Sequence, residues 1–258
     1  LQECEQQIAM ASGSLGSTNR RDQTTLTAMI DVHYWPTPNG WKVSIMLEEC
    51  ALPYRVMPVN IGAGEQFKPE FLAISPNNRM PAIVDHDPAG GGSPVSVFES
   101  GAILLYLADK SGRFMPPNLR GRVRVTEWLM WQIGGVGPMF GQNGHFRLYA
   151  PERIPYAMQR YETEANRLYS VLNTQLGKTG DGVAGDYSIA DMAIFPWIVT
   201  HKAQGIVIAN YPHVQRWFTR LRARPGVKAG MALLAELRKL QPADQRTHNM
   251  LFGIKPSA

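Results

Sequence analysis

The sequence predicts a thioredoxin-like α/β domain followed by an all-helical domain, and three observations carry that prediction. Strand and helix patterns alternate through the first half in the order strand, helix, strand, helix, strand, strand, helix. The last two strands are separated by too few residues for a crossover helix. Beyond Pro116-Pro117 the apolar residues recur almost entirely at helical spacing.

Ile30 to Tyr34 reads as a short strand. From Asn39 to Cys50, Val43, Met46 and Leu47 repeat as one helical face, and Tyr54 to Val59 is again strand-like. A strand, helix, strand order predicts a parallel pair with a right-handed crossover. A polar loop with Gly62 and Gly64 leads to a short helix at Pro69 to Leu72. Pro81 to Asp85 and Val95 to Phe98 flank Gly90-Gly91-Gly92, the pattern of an antiparallel hairpin. Ser100 to Asp109 closes the unit, with Ile103, Leu104 and Leu107 on one side.

In the second half, Ile154, Tyr161, Ala165, Leu168, Leu172 and Leu176 form a stripe in steps of three, four or seven. Ser188 and Asp191 have capping-box spacing before an apolar helix, Asp191 being a shorter variant of the usual Glu or Gln. The expected division is an extension over 1–28, a thioredoxin-like domain over 29–114, a helical domain over 119–240 and a tail over 241–258. A cleft between two such domains is a common ligand site.

Composition narrows the function classes. With 258 residues, 44% hydrophobic and 18% charged, the chain can bury a sizeable core. Its 26 basic and 21 acidic residues give a net charge of +5. The basic residues are scattered, and the densest groups, Arg120/Arg122/Arg124 and Arg216/Arg220/Arg222/Arg224, read as solvated helix faces. With no recognition motif beside them, they argue against nucleic acid and favour a small anionic ligand. No apolar run has the length of a membrane span. Two cysteines, Cys4 and Cys50, make neither a CxxC pair nor a disulfide framework, and the six histidines lack metal-ligand spacing. Leu1 to Ala28 is polar and reads as a flexible extension without a signal-peptide pattern.

Three segments can carry chemistry. Thr37-Pro38-Asn39-Gly40 opens the first helix, where unpaired N–H groups and the helix field favour an anion. Thr37 or Asn39 can hold a thiolate there; equally, Thr37 can simply cap the helix. Pro81 after Met80 fits either a cis bond that turns the Met80 backbone toward an extended peptide or an ordinary trans strand start. Ser100 is placed to cap the helix that follows and to receive a carboxylate, with Glu99 suited to an ammonium. Together these suggest a short peptide bearing an amine, a carboxylate and a thiol. Gln132 to Phe146 holds five glycines, which fit a close helix crossing or a pocket wall. No strand precedes them, so they are no dinucleotide fingerprint. His145 reads as structural.

The runs TPNGWKVSIMLEE (Thr37 to Glu49), SPNNRMPAIVDH (Ser75 to His86), FESGAILLYLA (Phe98 to Ala108) and QIGGVGPMFGQNGHF (Gln132 to Phe146) resemble, in this order and spacing, the glutathione transferase superfamily. The similarity is to its nu-class, Ure2-like members and covers Met29 to about Leu240. It implies a glutathione transferase fold and a glutathione-dependent disulfide-bond oxidoreductase, cytoplasmic and homodimeric, with glutathione as cosubstrate and no metal or nucleotide. It implies that Thr37 and Asn39 face the thiol and that Glu99 and Ser100 take the γ-glutamyl end. The Met80 backbone before a cis Pro81 would pair with the cysteinyl residue, Gln66 would face the glycyl end, and Arg160 would reach the ligand from the second domain. Arg147-Leu148-Tyr149 departs from the family pattern at the outer pocket. The alternatives are a transferase or peroxidase acting on electrophiles or peroxides, and a non-catalytic glutathione-binding or structural protein.

Overall fold

The computed structural model describes residues 29–239, 249, 251 and 252, so the expected extension and most of the expected tail lie outside it. β1 (Ile30–Tyr34) carries Ile30, Val32 and Tyr34 and is nearly all buried, which suits an inner strand. It pairs in parallel with β2 (Tyr54–Pro58) and antiparallel with β3 (Ala82–Asp85), which pairs antiparallel with β4 (Val95–Phe98). The order is β2-β1-β3-β4, which contains the expected parallel pair and antiparallel hairpin and joins them through β1 and β3.

Between β1 and β2 runs α1 (Pro38–Cys50), capped by Thr37 and stopped by Ala51 in the left-handed region. Gly40 lets this helix lie against the strand it follows. A Cβ there would stand 2.2 Å from the Trp35 carbonyl oxygen, so no larger residue fits. The short α2 (Pro69–Leu72) precedes β3, and α3 (Ser100–Ser111) follows β4.

Helices make up the second half: α4 (Leu119–Trp131), α5 (Gly137–Gly144), α6 (Pro155–Thr179), α7 (Ile189–Val199), α8 (Pro212–Ala223) and α9 (Pro225–Ala232). Single π-helical stretches, Gln132–Val136 and His145–Tyr149, flank α5. The stripe on α6 is buried from Ala165 onward, whereas Ile154, just before the helix, is exposed. α7 is apolar all round because it is the buried centre of this half. Its predicted capping box is present, and the Asp191 carboxylate also accepts from the Val183 N–H at 2.9 Å and the Trp217 indole at 2.8 Å.

One apolar core runs through both halves, from Ile30 and Leu47 to Leu168 and Trp217. α1 is the shared element, packing on α3, α7 and α9.

Asp85, at the end of β3, is buried, accepting from Tyr106 at 2.7 Å and pairing with Lys110 at 2.8 Å, while His86 pairs with Asp31. One reading of charged residues needs correction. Arg224 leaves the solvated face, because its guanidinium grips Glu49 with two bonds and covers the Tyr187 ring.

Candidate active site

A cavity of about 990 Å³ opens between the sheet half and the helical half, at the top of the usual small-ligand range of roughly 300–1,000 Å³. Its polar side contains Thr37, Asn39, Gln66, Met80, Pro81, Glu99 and Ser100. All come from loops or helix starts around the sheet. Its opposite side is largely aromatic and apolar, with Tyr149, Trp197, Leu251 and Phe252. Arg160 is not part of this lining. It stands on the exposed face of α6, 4.0 Å from Glu164. Arg238 is the basic residue that lines the cavity from beyond α9.

Thr37 keeps both of its sequence-level roles. Its Oγ accepts the Gly40 N–H at 3.3 Å, which caps α1, and its hydroxyl lies 3.9 Å from Met80 Sδ. A hydroxyl has one proton and two lone pairs, so capping leaves the proton available to a ligand. Asn39 is oriented by a residue that the sequence did not point to. The Trp197 indole N–H donates to Asn39 Oδ1 at 3.2 Å. An indole nitrogen only donates, so the oxygen of Asn39 must face Trp197 and its NH₂ is free to donate elsewhere.

The glycine-rich segment explains how Trp197 fits. A Cβ on Gly141 would lie 3.5 Å from its ring, and one on Gly137 3.6 Å from its Nε1. The close helix crossing read from the sequence is thus α5 against α7. His145 packs on the rings of Phe146 and Phe252, in keeping with its structural reading.

The Met80–Pro81 bond is cis. Glu99 adopts φ 68° and ψ 115°, a region that costs a non-glycine residue about 1–3 kcal/mol and often marks a functional site. Its carboxylate receives the Asn77 amide at 3.3 Å. Ser100 does not cap α3 as expected. The helix starts at Ser100 itself with Glu99 at the cap position, and Ser100 Oγ accepts from Lys42 Nζ at 3.2 Å. Gln66 is buried, donates to the Ile61 carbonyl at 3.2 Å, and leaves its Oε1 without a protein partner.

Lys42 is the second residue missed from sequence. It is 1% exposed and also donates to Gln132 Oε1 at 2.5 Å. Burial lowers its pKa to about 7, and the negative charge of Glu99 opposes the shift. A lysine three and four residues before Ile45 and Met46, on the apolar face of α1, was the available signal.

Among the described residues no cysteine lines the cleft. Cys50 lies at the far end of α1, its thiol 3.4 Å from Ser111 Oγ and raised in pKa by burial. Among the described residues no His, Cys, Asp and Glu cluster could hold a metal ion, and no helix is long and apolar enough to cross a membrane.

The fold and cleft define a class: a thioredoxin-like sheet with a polar cleft beside it, closed by a helical domain. Residues 28–109 match the N-terminal domain of glutathione S-transferases and residues 143–225 the C-terminal domain. The chain belongs to the glutathione S-transferase family. It is 52% identical over 219 residues to the disulfide-bond oxidoreductase YfcG of Escherichia coli, covering 85% of this chain and 99% of the relative. Identity to YghU, another disulfide-bond oxidoreductase of E. coli, is 42%, over 75% of this chain and 71% of the relative. A Pseudomonas fluorescens glutathione transferase family member, solved with two glutathiones bound, superposes with a TM-score of 0.75 at 43% identity, covering 80% and 93% of the two chains. A Pseudomonas putida glutathione transferase with one glutathione disulfide per subunit gives 0.75 at 40% identity, covering 80% and 92%.

Proposed function

We propose that this protein reduces disulfide bonds with glutathione, using a bound glutathione thiolate as the nucleophile. The observation that carries the reading is the start of α1, where the Thr37 hydroxyl and the Trp197-oriented Asn39 amide supply two donors beside the helix N-terminus. Donors fixed in this way stabilise a thiolate more than the thiol, which lowers the thiol pKa. The two E. coli relatives named as disulfide-bond oxidoreductases support the same chemistry.

The bound thiolate attacks one sulfur of the substrate disulfide, forming a mixed disulfide and expelling the other sulfur as a thiolate. A second glutathione thiolate attacks the mixed disulfide, giving oxidised glutathione and the second substrate thiolate. Two glutathiones are oxidised for each disulfide reduced, and the expelled thiolates take protons from solvent. Holding the sulfurs in line contributes through effective concentration.

In this reading Glu99 receives the γ-glutamyl ammonium, Ser100 its carboxylate, and the Met80 backbone the cysteinyl residue. Gln66, with an unpaired Oε1, accepts the glycyl peptide N–H. A homodimer in a glutathione-rich cytoplasm is the expected setting, and light scattering on the purified protein checks the pairing.

The test follows the loss of a small dialkyl disulfide by chromatography, with and without reduced glutathione and with and without the protein. Turnover that depends on glutathione is expected, and an equal rate without it would overturn the reading. The aromatic wall favours conjugation to an apolar electrophile as the second reading. It wins if an aromatic halide is conjugated while disulfides are not reduced.

A further inference from the structure

Lys42 is a full-length cation placed where almost no solvent reaches it, and the reaction above does not use it. It comes from α1, while its two oxygen partners come from the start of α3 and from the π-helical stretch after α4. Burying an ammonium is costly unless nearby acceptors or charges offset the loss of water. Here the acceptors are two neutral oxygens, and the charge that reaches it is Glu99, on the cleft side. The remaining charges on packed elements are engaged or distant. Glu48 and Glu49 at the far end of α1 are held by Tyr54 and Arg224, and Asp109 and Lys110 at the far end of α3 by Arg122 and Asp85. Asp191 on α7 is occupied by Ser188, Val183 and Trp217, and Lys228 on α9 is exposed.

Ser100 links this cation to the cleft. Its Oγ accepts from Lys42, which turns its own proton away from the ammonium and toward whatever docks at the start of α3. A carboxylate held there lies one hydroxyl away from Nζ. Resting on the reading of the cleft as a glutathione site, we infer that Lys42 is a positioning residue: its buried ammonium draws the γ-glutamyl carboxylate to Ser100, and it takes up a proton from solvent as that carboxylate docks.

Burial pushes the Lys42 pKa down to about 7, against the opposing charge of Glu99. A carboxylate nearby favours the charged form, so binding and proton uptake are linked. A purely structural lysine, pinned only to hold the two halves together, gives no such coupling.

The test is titration calorimetry of the full chain with S-methylglutathione, which has no ionisable thiol, near pH 7.5 in two buffers of different ionisation enthalpy. Wild type is expected to take up roughly half a proton per ligand. Lys42→Met is expected to lose that uptake and to bind roughly tenfold more weakly, the loss of one charge-assisted contact. Equal uptake and affinity in the two proteins would overturn the inference alone. Failure of S-methylglutathione to bind wild type would overturn the glutathione reading and this inference with it. Should Lys42→Met not fold, wild type decides with two analogues. An analogue lacking the γ-glutamyl α-carboxylate must lose the uptake, and γ-glutamylcysteine methylated on sulfur must retain it. The opposite pattern refutes the role assigned to Lys42.

Discussion

The start of α1 and the start of α7 use the same local chemistry to opposite ends. At α7, Asp191 accepts from its own helix start, from Val183 and from Trp217, and the whole group is buried. At α1, Thr37 satisfies a single N–H, its hydroxyl donates only to the weak Met80 sulfur acceptor at 3.9 Å, and Thr37 and Asn39 both line the cleft. A closed helix start stabilises the fold, whereas an open one forgoes part of that stability and gains a site for an anion. The position that separates them is the third helical one, which carries an acidic side chain in α7 and Gly40 in α1.

The largest expected effect lies at the closed start. Asp191→Ala leaves the Val183 N–H, the Ser188 N–H and the Trp217 indole without their acceptor in the core. A loss of about 3–5 kcal/mol follows, read as a lower urea midpoint. Burial pushes the Asp191 pKa up to about 6, against the lowering effect of its hydrogen bonds. The folded state therefore holds this proton more tightly than the unfolded chain. The contribution of Asp191 is fully present below its unfolded pKa of 3.8 and declines as pH rises to about 6, by about 3 kcal/mol. Subtracting the stability-versus-pH curve of Asp191→Asn isolates that decline. A flat difference between pH 4 and 6 would show that its hydrogen bonds outweigh its burial.

At the open start the loss should fall on rate. Thr37→Ala removes a cap worth about 1 kcal/mol of stability and a thiolate donor worth about a hundredfold in kcat. Thr37→Ser, which keeps the hydroxyl, should restore most of both. If Thr37→Ala unfolds the protein more readily yet turns over normally, α1 is as closed in function as α7, and the contrast fails.

The same contrast explains what the sequence made legible. Local signals placed both helix starts: Thr37 before Pro38, and Ser188 three residues before Asp191. The strands, the parallel pair and the hairpin followed from alternation and from turn lengths, as did Thr37, Met80, Glu99 and Ser100 at element ends, whereas the β1–β3 pairing did not, and Gln66 came from resemblance. Lys42 and Trp197 stayed hidden because their partners are far along the chain, at Ser100 and Gln132 for one and at Asn39 for the other. Trp197 sits in a helix that is apolar all round, so periodicity could not say which face meets the cleft. Gly137 and Gly141, one turn apart, signalled a bulky neighbour without saying which one. Arg160 is the opposite case: its role was carried over from resemblance alone, and within this chain it is exposed on α6 beside Glu164.

The smallest effect sharpens the comparison most. Trp197→Phe keeps a ring between α5 and α7 but removes the indole N–H that fixes Asn39. Asn39 is then free to turn its oxygen toward the cleft, where an acceptor repels a thiolate instead of binding it. A fall of about three- to tenfold in kcat is expected, about 0.7–1.4 kcal/mol, with KM for glutathione little changed because the rest of the peptide is held elsewhere. Lost packing alone could also lower kcat, so the deciding measurement is a double-mutant cycle with Asn39→Ala. If Trp197 acts through Asn39, its replacement costs nothing further once Asn39 is gone. If the two losses simply multiply, Trp197 is only a filler of the glycine-lined gap, and the open start of α1 has one positioned donor, not two.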